Sequence, residues 1–167
     1  MADRSNHYEA AFEGFLRALK VPTLPIDETR RTFTAGETVK SLDFIVMRPR
    51  SGALLIDVKG RTLKGSKPTF ENWVRQEDVE SLRRWRLSFG PSSAGVLAFI
   101  YEIETDAERA AFSDRFPHSE REYGCVGIDV EDFASHMKPR SIQWGTYSVG
   151  QEAFRRIVRP ISVWLER

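Results

Sequence analysis

Ser41-Leu42-Asp43-Phe44-Ile45-Val46-Met47 is followed by the polar turn Arg48-Pro49-Arg50-Ser51-Gly52 and then by Ala53-Leu54-Leu55-Ile56-Asp57-Val58-Lys59-Gly60. Two runs of β-branched and large apolar residues around a five-residue loop predict a β-hairpin. If Met47 pairs with Ala53, the same register sets Asp43 opposite Asp57. Facing residues of an antiparallel ladder project to one side of the sheet, with Cα atoms roughly 4.5–5.5 Å apart. Two carboxylates are thereby predicted to meet within otherwise apolar strands.

Like charges opposed across a ladder are destabilising, and more so as they leave water. A divalent cation compensates such a pair. Mg²⁺, or Mn²⁺ in its place, takes oxygen ligands from one or two carboxylates and keeps water and substrate phosphate at its other positions. Strand period 2 also sets Leu55, Asp57 and Lys59 on one face, against Leu54, Ile56 and Val58 on the other, so Lys59 falls next to the acid pair.

Asp43, a gap of thirteen residues, and then Asp57-Val58-Lys59 resembles the PD-(D/E)xK nuclease signature. The proline that usually precedes the first acid is replaced by Leu42. The opening His7-Tyr8-Glu9-Ala10-Ala11-Phe12-Glu13 is similar to the start of the bacterial HYExAFE family. The nuclease resemblance covers residues 6–101 and implies an α/β fold with a restriction-endonuclease-like core. That core is a central mixed sheet flanked by helices in the order α-β-β-β-α-β, here continued by an α/β extension over 102–167 within a single domain, 1–167. The resemblance further implies metal-dependent hydrolysis of phosphodiester bonds. Asp43, Asp57 and the Val58 carbonyl would be the metal ligands, and DNA the partner. A homodimer is implied where both strands are cut, since two cuts need two sites, although no segment declares an interface.

The remaining composition is that of an ordinary globular chain, 41% hydrophobic and 29% charged, which sets disordered and collagen-like classes aside. The longest apolar run, Ala94 to Tyr101, is too short to span a bilayer. The polar start carries no apolar signal segment, so the protein is expected in the cytoplasm. The single cysteine, Cys125, reads as a small buried hydrophobe. Net charge is only +1, but between Arg30 and Lys67 nine Lys and Arg face three acids, whereas residues 102–132 hold ten acids and three Arg. The basic half coincides with the hairpin, where a phosphate-bearing partner would be attracted.

In chain order, Asn6-x-x-Glu9 starts a helix whose apolar stripe is Tyr8, Phe12, Phe15, Leu16 and Leu19. Glu9 borders that stripe. The resemblance implies a first-helix glutamate reaching the metal, for which Glu9 is the candidate and Glu13 the reserve; Glu9 as a helix cap is the alternative. Residues 26–34 are expected to form the first strand. The stretch from Gly60 to Pro68 is a basic loop whose Gly-Ser-Lys order is not that of a Walker A motif. Arg61, Lys64 and Lys67 are its candidates for nucleic-acid backbone contact, with a plain surface loop as the alternative. Residues 73–89 read as a second helix stopped by Gly90-Pro91. In the resembled nucleases a polar residue here supports the catalytic lysine, and Gln76 is the candidate, although Asp78 is the residue that falls on the apolar stripe. Trp73 and Trp85 read as packing residues. Residues 94–101 are a buried strand, Thr105-x-x-Glu108 caps a short helix, and residues 123–130 form a further strand. Asp129 reads as a cap for the following helix rather than a ligand. Residues 142–149 are expected to form an edge strand, and Ser148-x-x-Gln151 to open a terminal helix broken at Pro160, with Trp144, Phe154 and Trp164 closing the core.

Two roles for Lys59 follow from its surroundings. As an ammonium it would orient hydroxide or neutralise charge on phosphate; desolvated to neutrality it would act as a base. The alternatives to an enzyme are a catalytically inactive nuclease-like module that binds nucleic acid or a protein, and a plain α/β domain in which Asp57 and Lys59 form a structural ion pair.

Overall fold

The structure, a computed structural model, describes residues 4–27, 32–34 and 36–166. Helix α1 (Arg4–Ala18) leads into β1 (Thr23–Pro25), and the predicted hairpin follows as β2 (Phe44–Met47) and β3 (Ala53–Arg61). After α2 (Gln76–Phe89) come β4 (Ala94–Ile103), β5 (Asp114–His118) and β6 (Arg121–Asp129), and then three short helices, α3 (Val130–His136), α4 (Gln151–Ile157) and α5 (Ile161–Glu166). The six strands form one mixed sheet in the order β1-β2-β3-β4-β6-β5. β3 and β4 run parallel and the other neighbours antiparallel. The crossover between β3 and β4 carries α2, as a parallel pair requires.

The hairpin register is the predicted one: Met47 pairs with Ala53 and Phe44 with Ile56. Period 2 along β3 then divides the core. Leu54, Ile56 and Val58 pack with Tyr8, Phe12 and Leu16 of α1 and with Trp164 of α5, while Leu55 faces Val79 and Leu82 of α2, Phe133 and Phe154. β4 is apolar on both faces, from Val96 through Tyr101, because helices cover both sides of its centre.

Several elements depart from the sequence expectations. The first strand of the sheet is Thr23–Pro25 rather than 26–34; its proline is tolerated because β1 is an edge. Of the expected range, 28–31 lie outside the described residues, and Thr32–Thr34 pairs only with Glu37–Val39. Helix α1 begins at Arg4, so Asn6 lies inside it instead of capping it. The basic loop after β3 is a small hairpin, Leu63–Lys64 against Thr69–Phe70. Residues 142–149 do not make one strand. Lys138–Ser141 and Thr146–Ser148 form a hairpin that adds to Val74–Arg75, and the Asn72 side chain bridges to both main-chain groups of Val149 at 2.9 Å. Trp144, expected in the core, is 72% exposed at the tip of that hairpin, whereas Phe154 and Trp164 are buried as expected. Gly150 rather than Ser148 is the N-cap of α4; Gln151 instead clamps the Phe70 main chain at 2.8 and 2.7 Å.

Candidate active site

β3 is longer than its partner. Main-chain pairing with β2 ends at Phe44 and Ile56, so residues 57–61 of β3 run on beside a gap at the sheet edge. Asp43, one residue before β2, fills the first position of that gap. Its own N–H donates to the Ile56 carbonyl at 3.0 Å, and its Oδ2 accepts the Val58 N–H at 2.5 Å in place of a strand partner. Asp43 thus turns a carboxylate oxygen onto the strand edge at Val58, while Asp57 lies within β3 and lines the same cleft.

At this gap both faces of the sheet are reachable, and a cleft of about 310 Å³ opens there. Asp43, Asp57, Val58 and Lys59 line it from the hairpin, Tyr8 and Glu9 from α1, and Arg75 and Asp78 from the start of α2. Gly60 is needed for this convergence: a Cβ there would lie 2.0 Å from the Tyr8 ring.

Asp43, Asp57, Lys59 and Asp78 are all buried. The Lys59 ammonium lies 2.7 Å from Asp57 Oδ1 and 3.3 Å from Asp78 Oδ2, and Lys40 pairs with the other Asp78 oxygen. Burial alone would push the Lys59 amine down, but Asp57 and Asp78, with Asp43 behind them, outweigh it and hold the pKa above the ordinary lysine value. Lys59 is thus a fixed cation. Burial pushes the Asp57 carboxyl above its ordinary range, with Asp78 adding to the rise and Lys59 only partly opposing it. Asp78 is pulled the other way: burial raises it, but Lys59 and Lys40 together win and lower it. Of these two, Asp57 is the less compensated anion and Asp78 the better compensated one.

Asp78 is the residue that sequence reasoning passed over. The signal was a carboxylate on the apolar stripe of an amphipathic helix, where a charge is costly unless paired. Its Oδ2 also accepts the Arg75 N–H at 3.0 Å, tying it to the start of α2. Gln76, the predicted supporting residue, lies outside the cleft, its amide engaged with Glu80 at 2.7 Å and Tyr147 at 3.3 Å. Of the two glutamates on α1, Glu9 lines the cleft and Glu13 pairs with Arg17 at 2.6 Å. His7 meets the Tyr123 hydroxyl at 2.8 Å. Among the predicted backbone contacts, Arg61 lines the cleft with its guanidinium 3.8 Å from the centroid of the Trp73 ring and hydrogen-bonded to the Trp73 carbonyl at 2.8 and 2.5 Å. Lys64 pairs with Glu71 at 3.0 Å, and Lys67 is exposed. Trp73, read as a packing residue, is half-buried and forms part of the cleft wall.

Among the described residues, no three His, Cys, Asp or Glu side chains gather as a metal cage. The cleft instead offers hard oxygen donors of the kind Mg²⁺ takes in ones and twos, among them the Asp43 and Asp57 carboxylates and a main-chain carbonyl. The N–H and C=O of one strand residue point to the same neighbour. The Val58 carbonyl therefore shares the edge on which its N–H meets Asp43. No protein-family model, curated protein or solved structure matches the chain.

Proposed function

We propose that this protein is a metal-dependent nuclease with a restriction-endonuclease-like core, hydrolysing phosphodiester bonds in DNA. The observation that carries this reading is the joint exposure of Asp43, Asp57, Val58, Lys59 and Glu9 to one cleft, at the point where β3 outruns its partner. The donor set fits a Mg²⁺ or Mn²⁺ ion, because oxygens alone are offered and because Asp57 is undercompensated as an anion. Asp43, Asp57 and the Val58 carbonyl would hold the ion, with Glu9 lining the same cleft as a further oxygen donor. Such an ion polarises a phosphoryl oxygen and lowers the pKa of a bound water. Lys59, charged at any physiological pH, neutralises negative charge that grows on the phosphate in the transition state. The carboxylates of Asp57 and Asp78, which hold its pKa above the ordinary lysine value, support the cation role over that of a general base. Asp78 and Lys40 hold the Lys59 head in place. Among the described residues no helix is long and apolar enough to cross a membrane.

The 2.7 Å contact of Asp57 with Lys59 favours one competing reading, a plain α/β domain in which the two form a structural ion pair. The test is cleavage of supercoiled, linear and branched DNA with Mg²⁺ or Mn²⁺ by the wild type and by Asp57→Ala. The nuclease reading expects cleavage that needs the metal and that Asp57→Ala abolishes. Absence of cleavage on every substrate, with Asp57→Ala destabilised equally with and without Mg²⁺, establishes the structural pair.

A further inference from the structure

The hairpin made by Lys138–Ser141 and Thr146–Ser148 lies outside the catalytic cleft but is fastened to its wall. Thr146 pairs with Arg75, a cleft residue, and the N–H of Gln76 donates to the Gly145 carbonyl at 3.0 Å. From the other strand, Arg140 reaches over the ring of Trp73, also a cleft residue, with its guanidinium 5.4 Å from the centroid.

The tip beyond these anchors is apolar and bare. Ile142 is 90% exposed and Trp144 72% exposed, in a turn closed by Gly145 at φ 58°. An indole normally buries 150–250 Å², so its position at a loop end calls for an occupant. Charge selects that occupant. From Phe133 through Gln151 there is no Asp or Glu, while Lys138 and Arg140 lie on the strand that enters the turn. A flat aromatic face with cations on the adjoining strand is complementary to a polyanion that carries π faces of its own.

We propose that Trp144 stacks on an unpaired base of single-stranded nucleic acid, with Lys138 and Arg140 on the flanking phosphates, so that the strand delivered to the cleft has an unpaired segment. In naming a substrate, this rests on the nuclease reading above. Within a duplex each base face is covered by its neighbour, so the exposed indole finds a partner only where stacking is already broken. One turn residue, Gly145, separates Trp144 from Thr146, which pairs with the cleft residue Arg75.

The experiment uses the full chain in EDTA, so that binding is read without cleavage. Fluorescence anisotropy compares an oligothymidylate of about 20 nucleotides with a blunt duplex of the same length, and tryptophan quenching is followed in parallel. The wild type is expected to prefer the single strand and to show quenching on binding. Trp144→Ala is expected to weaken single-strand binding about 10-fold and to lose the quenching, with duplex binding unchanged. Lys138→Ala and Arg140→Ala are each expected to lower the salt dependence of binding by about 0.7 in the log-log slope. Equal binding of single strand by wild type and Trp144→Ala overturns the proposal. A Trp144→Ala protein that sediments as monomer where the wild type is a dimer also overturns it, assigning the tip to a second copy of the chain. Failure of the nuclease reading is separate: Trp144-dependent binding without metal-dependent cleavage refutes catalysis and leaves the stacking site standing.

Discussion

Asp57 and Asp129 are two aspartates on long strands one strand apart in the same sheet, and burial pushes both carboxyls upward. Their surroundings differ in kind. Asp129 stands at the exit of β6, where α3 begins, and its Oδ1 accepts the N–H groups of Glu131 at 2.8 Å and Asp132 at 3.4 Å. Those donors exist at every helix start and must be satisfied, so the carboxylate is committed to the fold. Asp57 stands inside β3 rather than at a helix start, and its partner is the amine of Lys59, which it shares with Asp78. A side-chain counterion can shift toward a ligand, whereas a helix N-terminus cannot. On the proposed nuclease reading, the acid available to a metal is the one whose compensation comes from a side chain.

Three measurements test that contrast. The largest effect is expected on the rate: Lys59→Met should slow DNA cleavage about 10²–10³-fold, the range found when one preorganised charge-stabilising group is removed. Asp129→Ala should leave cleavage unchanged. Equal losses from the two would erase the distinction between site and scaffold.

The next effect is on stability. Asp129→Ala should cost about 1 kcal/mol in urea denaturation, while Asp129→Ser, which keeps a capping oxygen, should recover most of it. A null result for Asp129→Ala would mean that the cap is dispensable.

The smallest effect is a pH slope. Because the Asp57 pKa is raised in the folded chain, the native state binds more protons than the unfolded one above the ordinary value of 3.8. Its contribution to stability is therefore largest at acid pH and falls as pH rises from 3.8 through the folded pKa. Asp78 acts in the opposite sense and in a different window: its pKa is lowered, so its stabilisation is present above 3.8 and is lost as pH falls through the folded pKa. Asp57→Asn should flatten the decline above 3.8 and leave the acid limb intact. With Mg²⁺ present at neutral pH the wild type should gain stability by mass action, and Asp57→Asn should gain less. A slope above 3.8 that survives Asp57→Asn would assign it to Asp129 instead.

Much of this arrangement was legible in the residues. The Met47–Ala53 register, the strand carrying Asp57 and Lys59 on one face, the buried strand after α2, and the caps at Thr105 and Asp129 all follow from local patterns of period 2 or from capping chemistry. The gap beside residues 57–61 was not legible, because it depends on where β2 stops, and strand ends are set by pairing rather than by side-chain type. Asp78 was visible as a charge on an apolar stripe, but its partners Lys40 and Lys59 come from other segments. Gln76 matched a pattern of position along the helix, whereas the turn of α2 directs it toward Tyr147. Trp144 was assigned to the core because tryptophan usually is buried, and nothing local announces that its turn points outward.

Taken alone, the amino-acid order determined the hairpin, its register and the spacing of two aspartates and a lysine along it, because these depend on contacts between residues close in the chain. Only the tertiary structure decided that Asp43 would serve the strand edge, that Asp78 would clamp Lys59 as a cation, and that helices from both faces would meet at one cleft. Those outcomes balance burial against charge among segments far apart in sequence, a balance that exists only once the segments are packed together.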